Sequence, residues 1–262
     1  MSKRVEIVSS FYDDIDEDGR LNKSRQGQLE YAVTMNYIHR YAKQGARILE
    51  IGAGTGRYSI ALAKEGYAVT AIELVESNLE VLRKNSSGIR GIVSYKGDAL
   101  NLERLPDEGF DVTLVFDPMY HLYDEKEVHK AIEEAIRVTK KGGTILLAFL
   151  SVYAIMYDNY LKGNLAAGLA ENFNTCYKVK HFEEQLFTGY DVLEFERFFE
   201  NYKVKHLSTV AVDGIMELAE GRGDFKMSEE EFELFVKYHL AICEKRELLG
   251  CSSHLLYICQ KE

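Results

Sequence analysis

A chain of 262 residues, 46% of them apolar, is long enough to bury a sizeable core as one α/β domain, although length alone would also allow two. Its formal net charge of −10 disfavours DNA or RNA as a partner, because phosphate backbones repel an acidic surface and nucleic-acid binding draws on Lys and Arg. No apolar run is long enough to span a bilayer, residues 1–6 lack the apolar segment of an export signal, and Cys176, Cys243, Cys251 and Cys259 have neither zinc-site nor disulfide spacing; a cytoplasmic protein with reduced thiols and no metal is expected.

Residues 1–44 hold an aromatic-acidic loop, Phe11-Tyr12-Asp13-Asp14, followed by a helix with Leu29, Val33, Tyr37 and Tyr41 at four-residue steps. The apolar run 47–51 then ends in Gly52, Gly54 and Gly56. Lacking a Cβ, these glycines let the chain turn with positive φ and let a ligand approach the main chain at the C-terminal edge of a strand. The dinucleotide fingerprint needs a third glycine where Arg57 stands, so a nucleotide ligand without a pyrophosphate fits better. A second run, 68–72, delivers Glu73, a carboxylate at a strand tip able to accept both hydroxyls of a ribose. A third, 92–95, leads into Gly97-Asp98-Ala99, where a carboxylate is placed to accept from an adenine exocyclic amine. The fourth, 110–116, ends at Asp117-Pro118-Met119-Tyr120. Taken singly, the glycines also read as a turn, Glu73 as a surface acid and Asp98 as a turn aspartate. Four successive strand candidates that each end in polar residues point to one ligand at one sheet edge.

Asp124 to Glu127 has the spacing of a capping arrangement, and Val128, Ala131, Ile132, Ala135 and Ile136 form one apolar helix face that Lys140, Lys141 and Gly142 close. The run 144–150 reads as a strand covered on both faces. Residues 151–200 are rich in aromatics, among them Tyr153, Tyr157, Phe173, Tyr177, Phe182 and Phe187, and with residues 1–44 are taken as a cap over the sheet edge; a dimer surface is the alternative. Two strands, 204–212 and 254–258, flank a capped helix that begins at Ser228 and carries Phe232, Phe235, Val236, Leu240 and Cys243 on one side. The acidic stretches 13–18, 124–127 and 229–233 read as solvated helix starts and loops, or as attraction for a cationic substrate.

Through Leu49-Glu50-Ile51-Gly52-Ala53-Gly54-Thr55-Gly56, Thr70-Ala71-Ile72-Glu73, Gly97-Asp98-Ala99, Phe110-Asp111-Val112 and Lys140-Lys141-Gly142-Gly143, the chain resembles the class I S-adenosylmethionine-dependent methyltransferases. The likeness is strong over residues 45–150 and looser elsewhere. It implies a doubly wound, Rossmann-like, mostly parallel seven-stranded sheet ordered 3-2-1-4-5-7-6, with an antiparallel last strand and a helical, aromatic cap. It implies one methyltransferase domain over 1–262: an N-terminal lid and helix (1–44), a cofactor-binding core (45–150), a cap insertion (151–200) and C-terminal elements that complete the sheet (201–262). It further implies S-adenosylmethionine as cofactor and S-adenosylhomocysteine as product, with Gly52, Gly54 and Gly56 under the methionine portion, Glu73 on the ribose hydroxyls, and Asp98 with Ala99 on the adenine. Glu50 would lie behind the loop and help hold the cofactor's amino group, while Leu74 and Phe116 match positions flanking the adenine and the sulfur region.

Methyl transfer from a sulfonium is an in-line displacement, so alignment and exclusion of water matter more than a covalent nucleophile. An amine or hydroxyl acceptor still loses a proton, and Asp117, Tyr120 and His121 are the candidates to take it; each also has a structural reading, as turn cap, pocket wall or main-chain partner. Tyr12 is a candidate lid residue and Arg25 a candidate partner of the cofactor's carboxylate. Asp117-Pro118-Met119-Tyr120 nearly matches the Asp/Asn-Pro-Pro-Tyr/Phe motif of amino-group methyltransferases, with Met119 breaking it. The longer Pro118-Met119-Tyr120-His121-Leu122, with Tyr12-Asp13-Asp14 to Arg20-Leu21 and Ser253-His254-Leu255-Leu256-Tyr257, is more similar to bacterial methyltransferase-like proteins of undefined substrate. A small-molecule acceptor is the expected partner, with no membrane contact and a monomer or homodimer as the assembly. An amino-group methyltransferase on protein or nucleic acid, a catalytically silent S-adenosylmethionine-binding module and, more distantly, a nicotinamide dehydrogenase are the alternatives.

Overall fold

The computed structural model describes residues 2–15 and 17–262; Met1, and Asp16 within the acidic stretch 13–18, lie outside the described residues. Helix α1 (Lys3–Asp13) is capped by Ser2, whose side chain accepts from the Val5 N–H. The loop expected at Phe11-Tyr12-Asp13-Asp14 is thus helical through Asp13, because Arg4, Val8 and Tyr12, four residues apart, form a buried stripe. A one-turn α2 (Arg20–Lys23) leads into α3 (Arg25–Tyr41), where Leu29, Val33 and Tyr37 are fully buried, as their spacing predicts, and Tyr41 only partly so.

Strands and helices then alternate through β1 (Arg47–Ile51), α4 (Arg57–Lys64), β2 (Ala68–Glu73), α5 (Glu76–Asn85) and β3 (Ile92–Lys96), before β4 (Phe110–Val115) returns beside β1. Helical crossovers are what allow parallel pairing. Helix α6 (Glu125–Val138) carries the expected Asp124 cap, whose carboxylate accepts from the Lys126 N–H at 2.8 Å. Its end differs from expectation: Lys140, Lys141 and Gly142 belong to β5 (Thr139–Ser151), not to the helix terminus. Thr139 turns extended there, its hydroxyl donating to the Ala135 carbonyl and meeting the Thr113 hydroxyl, so a β-branched residue rather than Gly142 stops the helix.

Helices α7 (Val152–Ile155) and α8 (Leu165–Asn172), the two-residue strand β6 (Gly189–Tyr190) and α9 (Val192–Arg197) follow. The chain closes with β7 (Val204–Ala211), α10 (Met216–Glu220), α11 (Glu229–Ile242), α12 (Arg246–Leu249) and β8 (His254–Lys261); Ser228 and Glu231 form a reciprocal capping box on α11. The sheet runs β3-β2-β1-β4-β5-β8-β7, with β6 added on β5. Setting β6 aside, this is the expected seven-strand order, with β8 antiparallel to both β5 and β7.

The sheet is packed on both faces, and alternation along the strands assigns each side chain to one of them. Ile48, Leu146, Ala148 and Leu150 join one core with α3 and α4, whereas Leu49, Ile51, Leu147 and Phe149 join the other with α6 and α9. The parallel strands therefore end along one edge, which the loops after β1, β2 and β4 share with the start of antiparallel β8. Among the described residues no helix is long and apolar enough to cross a membrane.

Candidate active site

The loop after β1 is a tight structure. Gly52, Gly54 and Gly56 all have positive φ, and the N–H groups of Gly52 and Ala53 donate to the Ile72 carbonyl at 2.9 and 3.0 Å. A Cβ on Gly52 would lie 1.9 Å from the Phe116 carbonyl oxygen, so only glycine lets this loop pass the tip of β4. Gly54 is different: a Cβ there would meet nothing closer than the Glu17 Cγ at 3.9 Å, and the residue opens onto a cavity. Gly56 packs between Ile60 and Leu82 and lies outside that cavity.

Glu73 ends β2 with both carboxylate oxygens on main chain, Oε2 accepting from the Gly54 N–H at 2.7 Å and Oε1 from the Val75 N–H at 2.8 Å. Burial, helped by the nearby Asp117 charge, pushes its pKa up to about 7. Glu50, 1% exposed on β1, is pushed by burial to about 8 although the Ser59 hydroxyl donates to it. Two acids in the same wall thus hold protons near neutrality, protons that a ligand pairing with their ionised forms would displace.

Asp117, after β4, is a non-glycine residue at φ 81°, a strained conformation that persists only where its surroundings over-determine it. Tyr12 Oη of α1 donates to its Oδ1 at 2.6 Å, and His121 Nε2 lies 3.4 Å from the same oxygen. The His121 Nδ1–H donates to the Leu186 carbonyl at 2.6 Å, which turns Nε2 toward Asp117 and Tyr12. Burial opposes ionisation of both groups, yet each favours the charged form of the other: Asp117 is held below the usual carboxylate range and His121 above the usual imidazole range.

A cavity of about 690 Å³ occupies the sheet edge, and Glu50, Gly52, Gly54, Glu73, Phe116, Asp117 and Tyr120 all line it. Leu74, Asp98, Ala99 and His121 do not; they surround a separate space of about 20 Å³ beneath α1, room for about one water. Val8 of α1 packs there with Val75 and Leu74, and Arg4 Nη2 binds Asp98 Oδ2 at 2.5 Å, with Glu127 3.5 Å from Arg4 Nε. Tyr12 lines the cavity, whereas Arg25 pairs with Glu229 at 2.7 Å away from it.

The far side of the cavity holds a charge network that lies outside the cofactor motifs of the sequence. Arg20 of α2 binds Glu30 of α3 through two bonds of 2.8 and 2.9 Å and Glu17 at 2.9 Å. His254 Nδ1, at the start of β8, lies 2.7 Å from Asp213 Oδ2, beyond β7. The only sequence signal was the similarity of the Arg20-Leu21 and Ser253-His254 segments to methyltransferase-like chains.

A glycine-turned loop after the first strand of a doubly wound sheet, with an acid at the tip of the second, defines a nucleotide-cofactor enzyme of Rossmann-like build. A family model described as "Methyltransferase domain" matches residues 49–147. A demethylmenaquinone methyltransferase of Clavibacter sepedonicus is 31% identical over 171 residues, covering 62% of this chain and 67% of that protein. Across the first of the curated relatives the aligned segments span about half to two thirds of the relatives' own length. Among solved structures, a phosphoethanolamine N-methyltransferase of Haemonchus contortus, in complex with phosphoethanolamine and S-adenosylhomocysteine, superposes with a TM-score of 0.63 at 16% identity over 100% of this chain and 50% of that one. A SAM-dependent methyltransferase of Thermotoga maritima gives 0.57 at 19% identity over 99% and 100%. The chain belongs to the class I S-adenosylmethionine-dependent methyltransferases. It is an enzyme of that activity, and S-adenosylmethionine is its cofactor.

Proposed function

We propose that this methyltransferase acts on a small-molecule acceptor held in the 690 Å³ cavity beside the glycine loop. The observation that carries the reading is the cavity itself: it lies within the size range of small-ligand sites and is walled by side chains from α1, α3, β8 and the 151–200 segment. Those walls come from both ends of the chain as well as from the sheet edge, and they support reading residues 1–44 and 151–200 as a cap on a single catalytic unit. Gln185, 9% exposed, is among the residues of the 151–200 segment that line the cavity. The name of the Clavibacter relative, a demethylmenaquinone methyltransferase, agrees with a small-molecule acceptor.

The residues present fit the cofactor. Gly54 leaves the space a Cβ would fill, Glu73 offers remaining lone pairs to the ribose hydroxyls, and Glu50 supplies charge for the amino group. Gly52 and Gly56 shape the loop, and Phe116 walls the sulfur region. Bound there, the cofactor supplies an electrophilic methyl group on a cationic sulfonium. Asp117, kept ionised by His121 and Tyr12, places negative charge beside that cation and orients the acceptor; Tyr120 walls the acceptor's side, and His121 is a positioning residue. Closure by α1 and the 151–200 segment excludes water.

Leu74, Asp98 and Ala99 are assigned to the adenine, so α1 has to move to admit it, and the closed form taxes the apparent affinity. Arg4→Ala, which frees Asp98, is expected to tighten S-adenosylhomocysteine binding by about 0.5–1.5 kcal/mol; weaker binding in calorimetry would place the adenine elsewhere. Glu73→Ala is expected to weaken it by about 1–3 kcal/mol through the lost ribose contacts, and unchanged affinity in the folded variant would remove that role. The reading as a whole is tested by following S-adenosylhomocysteine formation with metabolite fractions, tRNA, DNA and protein extracts offered in parallel. Turnover confined to the metabolite fractions is expected, and turnover confined to a macromolecule would overturn it.

A further inference from the structure

His254 and Asp213 lie 41 residues apart in the chain, and strand direction brings them together. Because β8 runs antiparallel to β5, its first residue, His254, stands opposite Leu150 at the C-terminal edge of the parallel strands. Strand β7 runs antiparallel to β8, so Asp213, just past its end, arrives at the same edge. This is the edge at which open α/β sheets bind their ligands.

Asp213 is fully buried and fixed on both oxygens. Its Oδ1 accepts from the Ser252 hydroxyl at 2.7 Å and from the His254 N–H at 3.1 Å, and its Oδ2 accepts from Gln26 Nε2 at 2.7 Å. The same Oδ2 receives the imidazole Nδ1 at 2.7 Å. Among the described residues each hydrogen bond and ion pair of the ring runs through Nδ1, and the ring lines the cavity with Tyr120 edge-on at 5.9 Å, so Nε2 is the nitrogen left for a ligand.

We propose that His254 takes the proton that the acceptor loses on methylation, with Asp213 as the positioning residue that fixes its tautomer and ring. This rests on the proposed small-molecule acceptor in the same cavity. The acceptor's O–H or N–H bond breaks and its proton goes to Nε2. The acceptor's lone pair bonds the methyl carbon, and the sulfur keeps the electron pair of the bond it loses.

The groups facing the ring are Asp213, Glu30 from α3, which Arg20 from α2 partly neutralises, and Tyr120 after β4; Asp158 and Glu217 reach the neighbouring Ser253 hydroxyl. Burial alone would lower the pKa of His254, but Glu30 and Asp213 outweigh it and raise it to about 9. A base of that strength matches an acceptor that itself ionises near 10, that is, a phenol or an alkyl amine. Turnover therefore climbs with pH toward 9 as the neutral imidazole is gained.

The test uses the full chain with S-adenosylhomocysteine bound. Nitrogen-15 NMR of histidine-labelled protein is expected to show one ring, lost in His254→Gln, titrating near 9 with its neutral-state proton on Nδ1, and to move down by about two units in Asp213→Asn. A ring that titrates near 6.5 in both proteins overturns the proposal. With the phenol or amine acceptor that turns over, offered in separate arms, His254→Gln is expected to lower kcat about 100-fold and flatten its rise with pH, leaving cofactor Kd within about twofold. Full kcat in His254→Gln overturns the proposal even where the ring titrates as expected. Loss of cofactor binding by the wild-type chain would instead sink the reading beneath it, and the same NMR titration run on the chain without S-adenosylhomocysteine stands apart from that failure, because the ring titrates without cofactor or acceptor.

Discussion

Gly52→Ala and Gly54→Ala, two residues apart in one loop, are expected to fail in different ways. At Gly52 the new methyl group would meet main chain, 1.9 Å from the Phe116 carbonyl oxygen and 2.6 Å from Pro118 Cδ, and neither can swing aside as a flexible side chain would. Relief requires displacing the tip of β4, on a backbone already held at φ 80°. The expected loss is about 3 kcal/mol or more, seen as a melting temperature lower by roughly 6–12 °C in a chain of this size, or as insoluble protein. At Gly54 the cost to folding is only that of a left-handed alanine, about 1–2 kcal/mol, since no atom stands closer than 3.9 Å. Its methyl group projects into the cavity, and overpacking there should weaken cofactor binding by a further 1–3 kcal/mol or so. Melting with and without S-adenosylhomocysteine separates the two: Gly54→Ala should fold and lose the ligand-induced shift. Wild-type affinity in Gly54→Ala would mean that the loop does not cradle the cofactor.

Cofactor binding is expected to release protons and to tighten as pH rises. In the free enzyme Glu73 titrates at about 7 and Glu50 at about 8, both pushed up chiefly by burial. The sign follows from competition: below these values a proton occupies the carboxyl oxygens that the ribose hydroxyls at Glu73 and the amino group at Glu50 would use, and binding the cofactor displaces it. Affinity should therefore gain up to about tenfold per pH unit for each proton released between pH 6 and 8, and level off above that. The same two groups lower the free enzyme's stability over this range, because a carboxyl whose folded pKa is raised contributes stability that is lost as pH rises through that value. Calorimetry at pH 7 in buffers of different ionisation enthalpy should record release of about one proton, reduced in Glu50→Gln. Binding with no proton exchange would show that neither acid meets the cofactor in its ionised form.

Local pattern carried most of the fold. Short apolar runs of four to seven residues that lead into Gly52, Glu73, Asp98 and Asp117 identify strands by length and by the polar residues at their tips, and the structure places those tips along one edge. Helix α3 was legible because Leu29, Val33 and Tyr37 repeat at its period. Helix α1 was not, since an aromatic-acidic string has no broad apolar stripe, and the burial of Arg4 and Tyr12 depends on partners at Asp98 and Asp117, about a hundred residues away. The end of α6 is not legible for a related reason: Lys140-Lys141-Gly142 has helix-stop chemistry, but pairing with β4 draws the segment into β5.

The sequence by itself determined the class of fold, the glycine loop and the acids that surround it, because periodicity and backbone freedom are local properties. Tertiary structure alone decided that Asp98 lies under Arg4 rather than in the main cavity, and that Gln26, Asp213 and His254, up to 228 residues apart, form one site. The physical reason is that strand order and direction, not spacing in the chain, fix which buried charges meet, and a buried charge is tolerated only where its partner arrives.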